Sequence, residues 1–500
     1  MRRCSGLFAV VVLALPLQAQ QTFSGKIEVS LVNVDVTVTS HGKAVRGLTR
    51  DDFEVLEDGV PQTITNFYAV TGVAAAAPAA GPSTAAAEAA AATLRSDERF
   101  RRHVLLLIDN SHLTRFNRDR ALGSLEQFIN DRFKGGEYDW SIATVSDGTR
   151  LLLPQTSDKS AIHNALNVIR RAAARGVEIK DLRGNVVAIA PTDQPQQPPA
   201  GGILSEIDIR ENLYDALPVQ RAIVDAVRAF AGTPGKKIVL LVTGDVGLRT
   251  TGQPAVDRAM TTLRDALIHE VNAANVNLYI LGTEGMTLQP VGYMYWLARE
   301  TGGRYMTGNV ASASMRQFDE SSANFYSLAY RPPHTDDEQY HRIVVRLRKC
   351  ADCELRYREG YATLPREVEI ARALATPLSA TMLPSSLPLT ATTGQIIVTH
   401  DGVTVPIQAR VPLKELQFVP ADKGWKALVD IYVSVFDENG RNLTLERFTT
   451  TATAPTAPAE GDLIHNATVT FGVGKPRTIV VAVRDETNEA FGVWQQTVGF

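Results

Sequence analysis

Cysteine is scarce. Three in a chain of 500 cannot support a disulfide-dense scaffold or a cysteine-based zinc module. An excess of either charge is also missing: 51 Lys and Arg against 54 Asp and Glu leave −3. That balance argues against a nucleic-acid backbone as partner. After the opening segment no run is apolar enough for a membrane helix, which needs about twenty consecutive apolar residues. Several catalytic signatures are absent too: a Gly-x-Ser-x-Gly elbow, a Gly-x-Gly-x-x-Gly loop after a strand, a phosphate loop and a His-Glu-x-x-His helix. What remains is ordinary for a globular chain, 44% hydrophobic and 21% charged. Wholesale disorder, collagen and coiled coil are excluded, and the length predicts about two to four domains.

Residues 1–20 read as an address. Arg2 and Arg3 precede an apolar run from Leu7 to Leu17, with small Ala19 at its exit, the pattern of a secretory signal peptide. The run is short for a bilayer, so an uncut membrane anchor is the weaker alternative. Cleavage removes two positive charges and takes the net charge to −3 − 2 = −5. The expectation is an exported protein, periplasmic or secreted, with no stable membrane span after cleavage. In an oxidising compartment Cys350 and Cys353 can pair. Strand-like runs at Ile343–Arg348 and Glu354–Arg358 flank them, so a staple in a hairpin turn is expected over a redox motif at a helix start.

Along the rest of the chain the hydrophobic period divides the sequence. Apolar residues alternate from Ile27 to Val38, and Asp58-Gly59 is a tight-turn dipeptide, so residues 22–72 form a small β module. Residues 73–97, nearly all Ala with Pro, Gly, Ser and Thr, read as a linker. The continuous apolar run His103–Asp109 then marks a strand buried on both faces. Leu122, Leu125, Ile129 and Phe133 recur at helical spacing, as do Ile162, Leu166 and Ile169. Trp140–Val145, Ile238–Thr243 and Val276–Leu281 add further strands. This alternation predicts an α/β domain over 98–365, a doubly wound, mostly parallel, Rossmann-like sheet with helices on both faces. It carries a Pro- and Gly-rich insertion at 176–213 and an antiparallel β extension at its end. Residues 385–500 hold about six or seven short strands and suggest an immunoglobulin-like β-sandwich.

Two stretches, HVLLLIDNSH at His103–His112 and KKIVLLVTGD at Lys236–Asp245, resemble the von Willebrand factor A (VWA) domain. Gly47–Phe53, Glu57-Asp58-Gly59, Phe325–Tyr330 and Arg358-Glu359-Gly360-Tyr361 are similar to exported bacterial members of that superfamily, of the acidobacterial type. The resemblance covers roughly residues 25–365. It implies a metal-ion-dependent adhesion site at the carboxyl edge of the sheet, where Mg2+ or Mn2+ takes oxygen ligands and an acidic residue of a protein partner completes the shell. The ligands it implies are Asp109, Ser111, Thr156 and Asp245. Leu113 stands at the third position of the Asp-x-Ser-x-Ser motif, with Thr114 adjacent, and Thr243-Gly244-Asp245 reverses the family's Thr-Asp-Gly, so the site is degenerate.

Each residue also has a plainer reading. Asp109 can cap the following helix, although the helical pattern starts only near Arg118. Ser157 and Asp158 can cap the helix carrying Ile162, and His112 can be a metal ligand or a solvent-facing loop residue. The expected function is non-enzymatic binding of a protein partner through sheet-edge loops. The alternatives are a metal-independent scaffold of the cell envelope and, further off, a metal-assisted hydrolase using Asp109 and Asp245.

Overall fold

A computed structural model describes residues 31–71, 74–76, 101–132, 138–146, 148–172, 179–180, 186–187, 206–230, 233, 235–244, 254–283, 292–307, 311–334, 337–378, 382–383, 385–400, 402–421, 424–438 and 440–499. The signal peptide expected at 1–20, nearly all of the linker at 73–97 and most of the insertion at 176–213 lie outside them.

The apolar runs assemble into one six-stranded sheet. Its order is Tyr305–Thr307, Val276–Gly282, Lys236–Thr243, Arg102–Asp109, Tyr138–Val145, Thr149–Thr156. The first five strands are parallel and the last is antiparallel. Alternate residues of each central strand serve opposite cores. Leu105, Leu107, Val239, Leu241 and Leu278 pack with helices Glu206–Arg228, Pro254–Ala273 and Tyr293–Glu300. Val104, Leu106, Ile108, Ile238 and Leu240 pack with Arg115–Arg132, Lys159–Arg171 and Ala311–Ala323. A strand covered on both faces must be apolar at every position, which is why these runs do not alternate. From Arg102–Asp109 the chain first builds outward to Thr156, then crosses back to Lys236–Thr243 on the other side. The order in which the chain adds strands therefore reverses between those two parallel strands, and the crevice at their carboxyl ends is where such folds bind ligands.

The strands on either side of this domain in sequence pair with one another. Val32–Ser40 lies between Phe325–Tyr330 and Glu354–Arg356, and Phe53–Glu57 pairs with Tyr340–Leu347. Their common core draws Val34, Val36, Phe53 and Val55 from one end and Leu328, Tyr330, Ile343 and Tyr361 from the other. The module expected at 22–72 and the β extension expected at the end of 98–365 thus form two small sheets around one core, a shared β layer. Ala74–Ala76, inside the expected linker, adds a short strand to Ile64–Thr71. Buried Arg358 ties the layer to the α/β domain, donating to the carbonyls of Asn33 at 2.6 Å and Asn272 at 2.8 Å. Beside it Gly302 has φ +75°, and a Cβ on Gly303 would collide with the Leu278 carbonyl, so the close approach depends on both glycines. Cys350 and Cys353 are bonded, with Cα atoms 5.5 Å apart, in the turn before Glu354–Arg356.

Beyond residue 385 the chain forms two antiparallel sheets around a shared core that includes Val405, Ile407, Val429, Ile431 and Val481. Helix Arg366–Leu374 covers an outer face, setting Ile370 and Leu374 against Tyr432, Phe436 and Val480. The same helix reaches the α/β domain, where Arg372 pairs with Glu270 at 3.3 Å.

Candidate functional site at the carboxyl edge of the central sheet

The two strands that flank the reversal end in Asp109 and Thr243. Asp109 is fully buried, and its carboxylate is filled by its own surroundings. One oxygen accepts the backbone N–H groups of Ser111 and His112, at 3.0 and 3.2 Å. The other accepts the Thr243 hydroxyl at 2.6 Å and faces His112 Nδ1 at 2.8 Å. A ring nitrogen facing a carboxylate carries the proton, so His112 Nδ1 donates. The turn is then sewn to the neighbouring strands. Asn110 N–H donates to the Val145 carbonyl at 2.9 Å, and the Ser111 hydroxyl donates to the Ser146 carbonyl at 3.1 Å. The Thr243 carbonyl accepts from Thr283 N–H at 3.0 Å, and Arg120 donates to the Thr283 carbonyl at 2.8 Å.

Of the four residues implied as ligands, the structure brings Asp109 and Ser111 together. Asp245 lies outside the described residues. Thr156 is elsewhere, which corrects its assignment to the site. It pairs with Trp140, near the start of its neighbour strand, whereas Asp109 pairs with Val145 at that strand's end. The reason is direction: Thr149–Thr156 is the antiparallel strand, so its final residue returns to the amino edge of the sheet. There Thr156 accepts the Asp158 N–H at 3.0 Å, and Asp158 caps helix Lys159–Arg171 through the Ser160 N–H at 2.8 Å. Leu113, at the motif's third position, is fully buried in the core.

A hard cation such as Mg2+ needs about six oxygen ligands in near-octahedral array. Among the described residues this edge offers one carboxylate whose oxygens already receive donors, the hydroxyls of Ser111 and Thr243, both spent on protein acceptors, and the buried Asn110 Oδ1. These described residues do not fit that ion as they stand. What they do fit is an internal pair, in which the imidazole of His112 and the hydroxyl of Thr243 satisfy a buried anion. In the sequence His112 reads as a metal ligand or a solvent-facing loop residue, whereas its ring turns inward to Asp109, and Thr243 carries no such signal of its own. The signal for His112 is its place three residues after an Asp in a tight turn, within reach of that side chain.

No protein-family model matches the sequence, and no curated protein is similar to it. Solved structures with similar architecture exist at low identity. An aerotolerance-related membrane protein from Bacteroides fragilis is 11% identical, with 44% of this chain and 98% of that chain covered and a TM-score of 0.27. A von Willebrand factor type A protein from Catenulispora acidiphila is 10% identical over 80% of this chain and 66% of its own, at 0.27. Proximal thread matrix protein 1 from the mussel byssus, with a zinc-occupied MIDAS motif, is 13% identical over 47% and 48%, at 0.28. At these values the likeness assigns no residue a role. No helix among the described residues is long and apolar enough to cross a membrane.

Proposed function

We propose that this chain is an exported, non-enzymatic binding protein whose VWA-like domain engages a protein partner through the loops at the carboxyl edge of its central sheet. The observation that carries the reading is the contact of Asp109 with Thr243 across the reversal point. It fixes the ends of the two strands from which the edge loops depart, at the position where doubly wound sheets bind ligands. The same contact argues that the adhesion site is degenerate. A divalent ion at Asp109 must displace the His112 imidazole and the Thr243 hydroxyl, so partner capture proceeds without Mg2+ or Mn2+. The β layer and the C-terminal β unit, which we read as an immunoglobulin-like sandwich, pack against this domain through Arg358 and through Arg372.

A photo-crosslinking amino acid at position 112 tests the reading against one at position 155, on the opposite edge of the sheet. Adducts to a discrete protein from position 112, equal in EDTA and in millimolar Mg2+, are the expected result. Equal adducts from both positions, or none from 112, sink the proposal. A partner captured only with Mg2+ or Mn2+ restores the metal-dependent form of adhesion. A chain that captures nothing at either edge is better described as an envelope scaffold.

A further inference from the structure

A second cluster of ligand-type side chains lies in the β layer, away from the sheet edge. Glu57, Asp58, His334 and His341 each offer one ligand atom, and these atoms all lie within 4.8 Å of one another. Asp58 sits in the turn between Phe53–Glu57 and Val60–Gln62, where it has φ 49° and Gly59 φ 84°, a pair of positive values that a two-residue hairpin requires. His341 comes from Tyr340–Leu347, the strand paired with Phe53–Glu57, so the two halves are in fixed register. The rings of His334 and His341 stack with centroids 4.6 Å apart and 4° between planes.

We propose that Glu57, Asp58, His334 and His341 bind one divalent transition-metal ion of the Zn2+ type, which clamps the Asp58-Gly59 turn to the segment carrying His334. Two imidazoles with two carboxylates favour a borderline ion over Mg2+ or Ca2+, which take oxygen shells. Four protein ligands and no open position describe a structural site, not a catalytic one. Glu57 adds a buried anion to the cluster. Its side chain is buried, Oε2 accepts the Tyr361 hydroxyl at 3.0 Å, and the carboxylate also lies against the buried Tyr330 hydroxyl. Two neutral hydroxyls do not balance a buried negative charge, and a cation at the cluster does.

The surroundings also orient the ligands. Asp58 Oδ1 accepts the Arg342 N–H at 2.8 Å, which leaves Oδ2 facing His341 Nδ1 at 2.7 Å. Asp337 holds the other ring nitrogen, Nε2, at 3.0 Å. A ligating histidine whose second nitrogen donates to a carboxylate is the usual outer shell of a metal site. On binding, the ion takes the place of the Nδ1 proton, which is released to solvent, while Nε2–H stays on Asp337.

The experiment uses the untagged full chain, stripped with a chelator, titrated with Zn2+ and separately with Mg2+. One Zn2+ per chain, a rise in melting midpoint with Zn2+ but not Mg2+, and the visible bands of a tetrahedral site when Co2+ replaces Zn2+ are expected. His334→Ala, at an exposed ligand, and Glu57→Gln, which keeps the shape of the buried one, each weaken Zn2+ binding about tenfold or more. Asp109→Ala leaves it unchanged. Lack of stoichiometric Zn2+ binding overturns the proposal. So does binding that survives both His334→Ala and Glu57→Gln, or that is lost in Asp109→Ala, which places the ion at the sheet edge.

Discussion

Thr243 donates its hydroxyl to Asp109 at 2.6 Å, joining the ends of two adjacent parallel strands across the point where the strand order reverses. A buried carboxylate needs donors, and at this edge it finds them within the chain: two N–H groups, a hydroxyl and an imidazole. In an adhesion site the same oxygens would be turned to an ion and, through it, to a partner. Here the anion is spent on the fold, and in the function proposed above it is the loops around it that meet a partner.

That assignment predicts how two substitutions behave. Thr243→Val removes one donor from a buried anion and is expected to cost about 1–3 kcal/mol of stability. Asp109→Ala leaves several buried donors unpaired and is expected to cost about 3 kcal/mol or more. Both losses are the same in EDTA and in millimolar Mg2+, as read from urea unfolding followed by circular dichroism. An Asp109→Ala variant that matches the wild type in EDTA, and falls behind only with metal, would show that the carboxylate serves an ion instead.

The sequence carried the strands and helices of the central domain because local pattern sets them. HVLLLID and KKIVLLVT are apolar at nearly every position since both faces are covered, and Leu122, Leu125 and Ile129 are fully buried at their helical spacing. Asp58-Gly59 turns where its dipeptide predicts. Thr156 was placed at the wrong edge because nothing in Leu151–Thr156 itself states the strand's direction. The clue lay upstream, in Asp147-Gly148, a hairpin dipeptide between two strand-like runs. Pairings such as Val36 with Tyr326 join residues far apart in sequence, and no local pattern specifies them. The His341 cluster was hidden for the same reason, since Glu57 and His341 meet only once those strands pair.

Asp225 gives a pH dependence of stability with a definite sign. It lies on helix Glu206–Arg228, with the Thr149 hydroxyl donating at 2.7 Å. Burial pushes its carboxyl up from 3.8 to about 6, against the pull of Thr149 and of Arg228 and Arg221. The folded chain therefore holds a proton that the unfolded chain has released between those two values. This group's contribution is fully present below about 3.8, is lost as pH rises to about 6, and is flat above. A shift of about two units corresponds to about 2–3 kcal/mol. Asp225→Asn keeps an acceptor for Thr149 and removes the titration. The variant is expected to gain on the wild type in urea midpoint between pH 4.5 and pH 7. Parallel curves would mean that the carboxyl titrates normally.

Arg118 is a buried cation with a structural task at the end of a helix. It is about 1% exposed, and its guanidinium donates to the carbonyls of Ala172 at 2.9 Å and Arg170 at 3.0 Å. Those carbonyls belong to the last turn of Lys159–Arg171 and its cap, where helical partners run out and the helix dipole is negative. Arg118→Met preserves much of the volume but strands both acceptors, and an expected loss of about 2–4 kcal/mol follows. Arg118→Lys, with one ammonium for two carbonyls, falls between. Equal stability of the Met and Lys variants in urea would show that packing, not capping, sets the value of this side chain.

The C-terminal β unit should depend on a helix that precedes it in sequence. A fragment cut at 390 keeps the strands and the core around Val405, Val429 and Val481. It also strips Ile370, Leu374 and Leu383 from the face formed by Tyr432, Phe436, Val480, Ala482 and Phe491. Tyr432 and Phe436 are each about 1% exposed in the chain, so the cut uncovers large aromatic surface that burial otherwise stabilises by about 25 cal/mol per Å2. A fragment from 365 to 500 retains the cover. The longer fragment is expected to be monomeric and to melt cooperatively, while the shorter one binds a hydrophobic dye, associates, or melts many degrees lower. Identical melting curves and equal dye binding would show that the helix serves the α/β domain alone, through its Arg372–Glu270 pair.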